Sequence, residues 1–212
     1  DYIAPKSTSS AFIRITNSQH TGAGHNVGGG TQNANNVTAN ISNPDNLLTS
    51  VNFVRAGTTN TTRVSWEIVE YIGPAGGDNE MKVRMASSTV FAAANLGATT
   101  TVTGVVDDTD VVVWVTGSRN PDTATADYNT MLVTSEWLSA TDQAVLKRQE
   151  AGADAIAVSW TAVEYTGSNW RVQRVSHTYT TAGVNEFETL PTALASTTQA
   201  FVHAQRRAGL NL

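Results

Sequence analysis

Residues 64–71 read VSWEIVEY, and residues 158–165 read VSWTAVEY. Six of the eight positions are identical: Val64/Val158, Ser65/Ser159, Trp66/Trp160, Val69/Val163, Glu70/Glu164 and Tyr71/Tyr165. Both copies alternate. Val64, Trp66 and Ile68 share one face while Val69 and Tyr71 lie on the other; Val158, Trp160 and Ala162 repeat the first set, Val163 and Tyr165 the second. A period of two rich in β-branched and aromatic residues predicts a strand. The same strand met twice in one chain makes an internal repeat the first question about the architecture.

The repeat extends outward from these strands. VNFVRAG (51–57) and AVLKRQEAG (144–152) place Arg55 and Arg148 at nearly the same distance ahead of the two tryptophans. Downstream, KVRM (82–85) matches RVQR (171–174), after a Gly-rich turn of different length in each copy. A second motif occurs three times: SAFIRITNS (10–18), DVVVWVTGS (110–118) and QAFVHAQRR (199–207). Each alternates a small apolar face with a face that opens on a bulky residue, Phe12, Val112 or Phe201, followed by Arg14, Trp114 or His203. Pro44, Pro74, Pro121 and Pro191 all fall between the candidate strands, where a missing N–H does no harm.

These patterns predict an all-β chain: two tandem antiparallel β-sandwich-like domains built from an internal repeat of about 90–100 residues. Residues 1–9 form an N-terminal extension, 10–108 the first repeat, 109–198 the second, and 199–212 an extra copy of the opening strand. That copy either closes the second repeat or begins a third unit. Residues 135–152 contain helix formers behind a cap-like Ser135, but their counterpart in the first repeat has little helical character. Repetition outweighs propensity, and strands are expected there.

Both faces of the aromatic strand carry large apolar groups, which a sheet with one face in water does not tolerate. Trp66 and Trp160 are expected to anchor the cores, each contributing about 2–3 kcal/mol through apolar burial. Tyr71 and Tyr165, on the other face, need cover from the neighbouring repeat or from another copy of the chain. Phe12, Trp114 and Phe201 belong to the same set of core and assembly residues. Glu70 and Glu164 are expected to form structural ion pairs with Arg55 and Arg148.

Composition narrows the function. The 212 residues carry a net charge of −5 and only three lysines (Lys6, Lys82, Lys147), which argues against a nucleic-acid footprint. There is no cysteine, hence no disulfide and no thiolate chemistry. No apolar run reaches the roughly 18 residues that span a bilayer. GAGHNVGGG (22–30) lacks the lysine and spacing of a phosphate loop. His20, His25, His177 and His203 are scattered, and VDDTD (106–110) lacks the glycine and glutamate of a calcium loop. No cofactor, metal or catalytic set is expected, and an enzyme is the least favoured class.

The order of an Arg-containing strand, the aromatic strand (SWEIVEY or SWTAVEY), a turn and then KVRM or RVQR resembles the tandem repeats of bacteriophage virion proteins: tail-fibre, appendage and head-decoration modules. More distantly, the Trp strand looks like that of H-type lectin sandwiches. The resemblance implies a structural virion protein whose partners are copies of itself, other virion proteins and host surface glycans. The alternatives are a carbohydrate-binding module of a secreted adhesin, with Trp170 and Tyr128 stacking on sugars, and a subunit of a prokaryotic surface filament or surface layer. Each of these places the protein in a virion, outside the cell or on its surface.

Overall fold

A computed structural model describes residues 7, 9–21, 37–42, 50–55, 61–119, 132–148, 151, 155–175, 189–194 and 200–205. The chain is all-β. Four strands come from the first copy: β1 (Ala11–Thr21), β2 (Val37–Ser42), β3 (Ser50–Arg55) and β4 (Thr61–Glu70). Two more follow, β5 (Lys82–Phe91) and β6 (Gly97–Thr101). The second copy supplies β7 (Val111–Arg119), β8 (Val133–Leu138), β9 (Gln143–Arg148) and β10 (Ile156–Glu164). Among the described residues there is no α-helix, only two 3-10 turns, Asp108–Asp110 and Ser139–Thr141.

The two copies pair their strands in matching registers. β1 runs antiparallel to β4 with Ala11 opposite Glu70 and Ile15 opposite Trp66; β7 runs antiparallel to β10 with Val111 opposite Glu164 and Val115 opposite Trp160. Both ladders then skip one residue, Thr16 in the first and Thr116 in the second, so a β-bulge recurs at the same place. β2 faces β3 with Val37 opposite Arg55, and β8 faces β9 with Val133 opposite Arg148. The repeated words in the sequence are therefore one β module formed twice, with Trp66 and Trp160 in equivalent positions.

β5 and β6 break the symmetry. By sequence they belong to the first copy, inside residues 10–108. By hydrogen bonding they belong to the second: β5 adds to the free edge of β10, and β6 to that of β9. The second unit is thus a sandwich of two three-stranded sheets, β5-β10-β7 and β6-β9-β8, while β1-β4 and β2-β3 remain two-stranded.

The second core lies between its two sheets. Phe91 from β5, Val111 and Val113 from β7, Val133 and Trp137 from β8, Leu146 from β9, and Ile156, Val158 and Trp160 from β10 pack together. Trp160 is 0% exposed, and its indole N–H donates to Thr89 Oγ1 of β5 at 2.9 Å. The same packing explains why 133–148 forms strands despite its helix formers. Trp137, Ala144 and Leu146 each bury in this core, which outweighs a preference of a few tenths of a kcal/mol per residue. Asp142, in the left-handed region at φ 49°, closes the turn between β8 and β9.

Candidate functional site

The chemistry this chain displays is that of joining one repeat to the next, and it centres on Trp114. The outer face of the β5-β10-β7 sheet is covered by the first unit, as the two-sided apolar pattern of the aromatic strand requires. Phe12 stacks on Trp114 with ring centroids 5.3 Å apart, and the Arg14 guanidinium lies 5.9 Å from the same ring. Val163 and Tyr165 of the second copy meet Val69, Tyr71, Met81 and Val83 of the first in the same cluster. Higher on the sheet, Thr116 Oγ1 donates to Ala39 O at 3.1 Å. Gly117 (φ 150°) lies where any Cβ would run into the carbonyl of Val37, so β2 crosses β7 there at backbone contact. Burial pushes the Tyr165 phenol up to about 12, opposed in part by Trp114 and by the Arg14 charge.

Residues 200–205, the third copy of the opening motif, form no strand, contrary to the sequence expectation, but they also reach Trp114. Phe201 is 6.3 Å from the indole and His203 4.0 Å, with Phe201 largely exposed. Gln205 bridges the sandwich edge, donating to Val113 O and accepting from the Ser135 N–H. Burial next to Arg14 holds His203 below the ordinary histidine value. Of the sequence-predicted residues, Phe12, Tyr71, Trp114 and Tyr165 thus converge on one seam and Phe201 reaches its rim. Trp160 lies in the second core and Trp66, half-buried, tilts against Phe53 at 5.6 Å in the first.

In the second copy the ion pairing differs from the sequence expectation. Glu164 is fully buried and pairs with Arg84 of β5, not with Arg148. Its other oxygen accepts from the N–H groups of Val106 and Asp107 at 2.9 and 2.6 Å. Arg148, 2% exposed, spends its donors on the carbonyls of Ala92, Ala93 and Asn95 in the turn between β5 and β6. The reason is geometric. Arg148 and Glu164 lie in opposite sheets, and β5 with the turn that follows it places a partner beside each. In the first copy Arg55 is exposed, with Nη1 3.5 Å from Thr62 Oγ1, and Glu70 is half-buried opposite Ala11. Arg84 was legible in the KVRM motif as a repeat marker, but its role depends on strand exchange, which no local spacing encodes.

The remaining candidates find plain partners. Trp170 packs against Tyr165 with centroids 4.9 Å apart, so its ring is a seam contact; Tyr128 lies outside the described residues. The acidic turn is self-capped: Asp107 Oδ1 accepts from the N–H and hydroxyl of Thr109, which lowers the Asp107 pKa, while Asp110 accepts from the Val172 N–H. Among the described residues no group of three His, Asp or Glu side chains is placed to hold a metal ion. The loop at 72–80 is exposed at Ile72, but its end docks. The N–H groups of Gly167 and Asn169 donate to Glu80 O and Asp78 O, both at 2.9 Å. No family model, curated protein or solved structure matches this chain.

Proposed function

We propose that this chain is a structural virion protein of a phage-like particle, a tail-fibre, appendage or decoration subunit that assembles with copies of itself and other virion proteins and presents loops to the host surface. The observation that carries the reading is the interlock of its repeats: β5 and β6 leave one unit and add one to each sheet of the next. Strands shared in this way transmit tension through backbone ladders and buried side chains rather than through a hinge between separate domains. That suits a load-bearing or surface-covering element. Catalysis would need convergent titratable groups, whereas the buried carboxylate here is consumed by Arg84 and two backbone amides. A sugar-stacking role for Trp170 is disfavoured, because Tyr165 packs on its ring. The interlock serves a prokaryotic surface filament equally well, and location separates the two. Antibody labelling of the native source in electron micrographs should decorate tails, appendages or capsids; label confined to cell-derived filaments or to the cell interior refutes the virion assignment.

A further inference from the structure

Among the described residues β7 is the last strand of the β5-β10-β7 sheet, and its outer edge is taken by side chains instead of a fourth strand. Tyr165 N–H donates to Asp110 O, so the even-numbered carbonyls of this stretch turn towards β10 and the odd-numbered ones turn outward. Each outward carbonyl from Thr109 to Val113 is bonded. Arg174 donates from Nη2 to Thr109 O at 2.8 Å and from Nε to Val111 O at 3.1 Å, and Gln205 Nε2 donates to Val113 O at 3.0 Å. Gln205 also reaches the other sheet. Its Oε1 accepts from the Ser135 N–H of β8 at 2.6 Å and from the Ser135 hydroxyl at 2.9 Å. One primary amide thus offers β7 a donor and β8 an acceptor, as a peptide unit of an intervening strand would, and it closes the sandwich at that edge.

The segment that carries Gln205 is attached through alternate side chains. Phe201, His203 and Gln205 reach β7 at Trp114 and Val113, while Val202 between them is 91% exposed. Three such contacts hold less firmly than a ladder of backbone bonds, so the segment can open without unfolding the sandwich. Two of the three rest on Trp114, and the seam between the units rests on the same ring. Phe12 stacks on it at 5.3 Å with the planes 29° apart, and Phe201 at 6.3 Å with the planes 21° apart. The buried indole N–H closes no hydrogen bond, although it lies near enough to the Tyr165 phenol to oppose the rise in its pKa. Packing therefore fixes the orientation of the ring, and a shift forced from the Phe12 side moves the surface on which His203 and Phe201 lie.

We propose that residues 201–205 are a latch on the second sandwich, closed by the Gln205 amide between β7 and β8, and that Trp114 makes its closure conditional on docking of the first unit. With Phe12 seated, the indole is held in the orientation on which His203 and Phe201 pack, and Gln205 reaches both sheets. With β1 displaced, the ring turns into the vacated space and the latch loses its footing. The sandwich edge is thus sealed after the two units have joined, and separating the units opens it. This device lies within the single chain and stands apart from the assembly reading above.

Amide hydrogen exchange of the full-length chain tests the coupling at three positions. Ser135 N–H, bonded to Gln205, reports the latch. Val83 N–H, which donates to Ser9 O at 2.8 Å just ahead of β1, reports the seam. Arg148 N–H, which donates to Leu96 O at 2.9 Å on the β6 side of the second unit, reports opening of the whole sandwich. Phe12→Ala should lower Ser135 protection by about fivefold or more, and Arg148 protection by a clearly smaller factor. Gln205→Ala should lower Val83 protection in turn, because a coupling between two closures acts in both directions. Phe12→Leu keeps apolar bulk without the stacked ring; it carries the test if Phe12→Ala does not fold, and should give the same pattern at a smaller factor. Ser135 protection indifferent to the Phe12 variants, Val83 protection indifferent to Gln205→Ala, or all three amides falling by one common factor would each overturn the coupled latch.

Discussion

Glu164 shows what one buried carboxylate does in this fold. Its two oxygens tie the end of β10 to Arg84 on β5 and to the backbone at Val106 and Asp107, so a single side chain fastens three segments. Removing it leaves Arg84, itself mostly buried, without its counter-charge, and breaking a buried pair from one side is more costly than never having made it. Glu164→Ala should lower unfolding free energy by about 3–5 kcal/mol. Glu164→Gln, which keeps an acceptor for the amides, should cost about 1–3 kcal/mol. Urea titration of both variants checks this, and equal, sub-kcal costs would show that the triad carries little. The carboxylate was legible in the sequence as a polar residue ending an apolar strand. Its partner was not, because Arg84 lies 80 positions away and meets it only through strand exchange.

At the scale of the element, β4 and β10 are the same strand in two settings, all nine residues of β10 being buried and no described side chain of β4. The sandwich class, the strand positions and the Trp equivalence were legible because alternation and repetition are local properties of a sequence. Which strand adds to which edge was not legible. Pairing between distant segments is set by the whole set of edges left open, and two strands that read as the end of one repeat add to the sheets of the next. The difference in burial has a measurable consequence. Trp160→Ala empties a closed core and should destabilise by about 3–5 kcal/mol. Trp66→Ala should cost only about 1–2 kcal/mol because that side chain is only partly buried. Denaturant curves for the two variants decide it: matching losses would mean that the first unit is as closed as the second.

Over the whole molecule, the three copies of the opening motif meet at Trp114, which contacts Phe12 and Arg14 of the first and Phe201 and His203 of the third. The first of these contacts buries Phe12 within the seam. The second is half in water, and it rests on an imidazole whose charged form is disfavoured by burial and then by the Arg14 guanidinium. The sign follows from the proton count. The His203 pKa is depressed in the folded chain relative to its ordinary 6.5, so the unfolded or detached segment binds more protons between those two values. Attachment of residues 201–205 is therefore insensitive to pH above 6.5 and weakens as pH falls through that window, reaching its full loss below the depressed value. The Ser135 amide reports the detachment, since it donates to Gln205 at 2.6 Å. Its exchange protection, corrected for the intrinsic pH dependence of exchange, should fall on acidification in step with a His203 titration whose midpoint lies below 6.5, and His203→Gln should flatten the response. A midpoint at or above 6.5, or protection indifferent to pH in the native chain, would remove the histidine as the group that governs how this end of the molecule is covered.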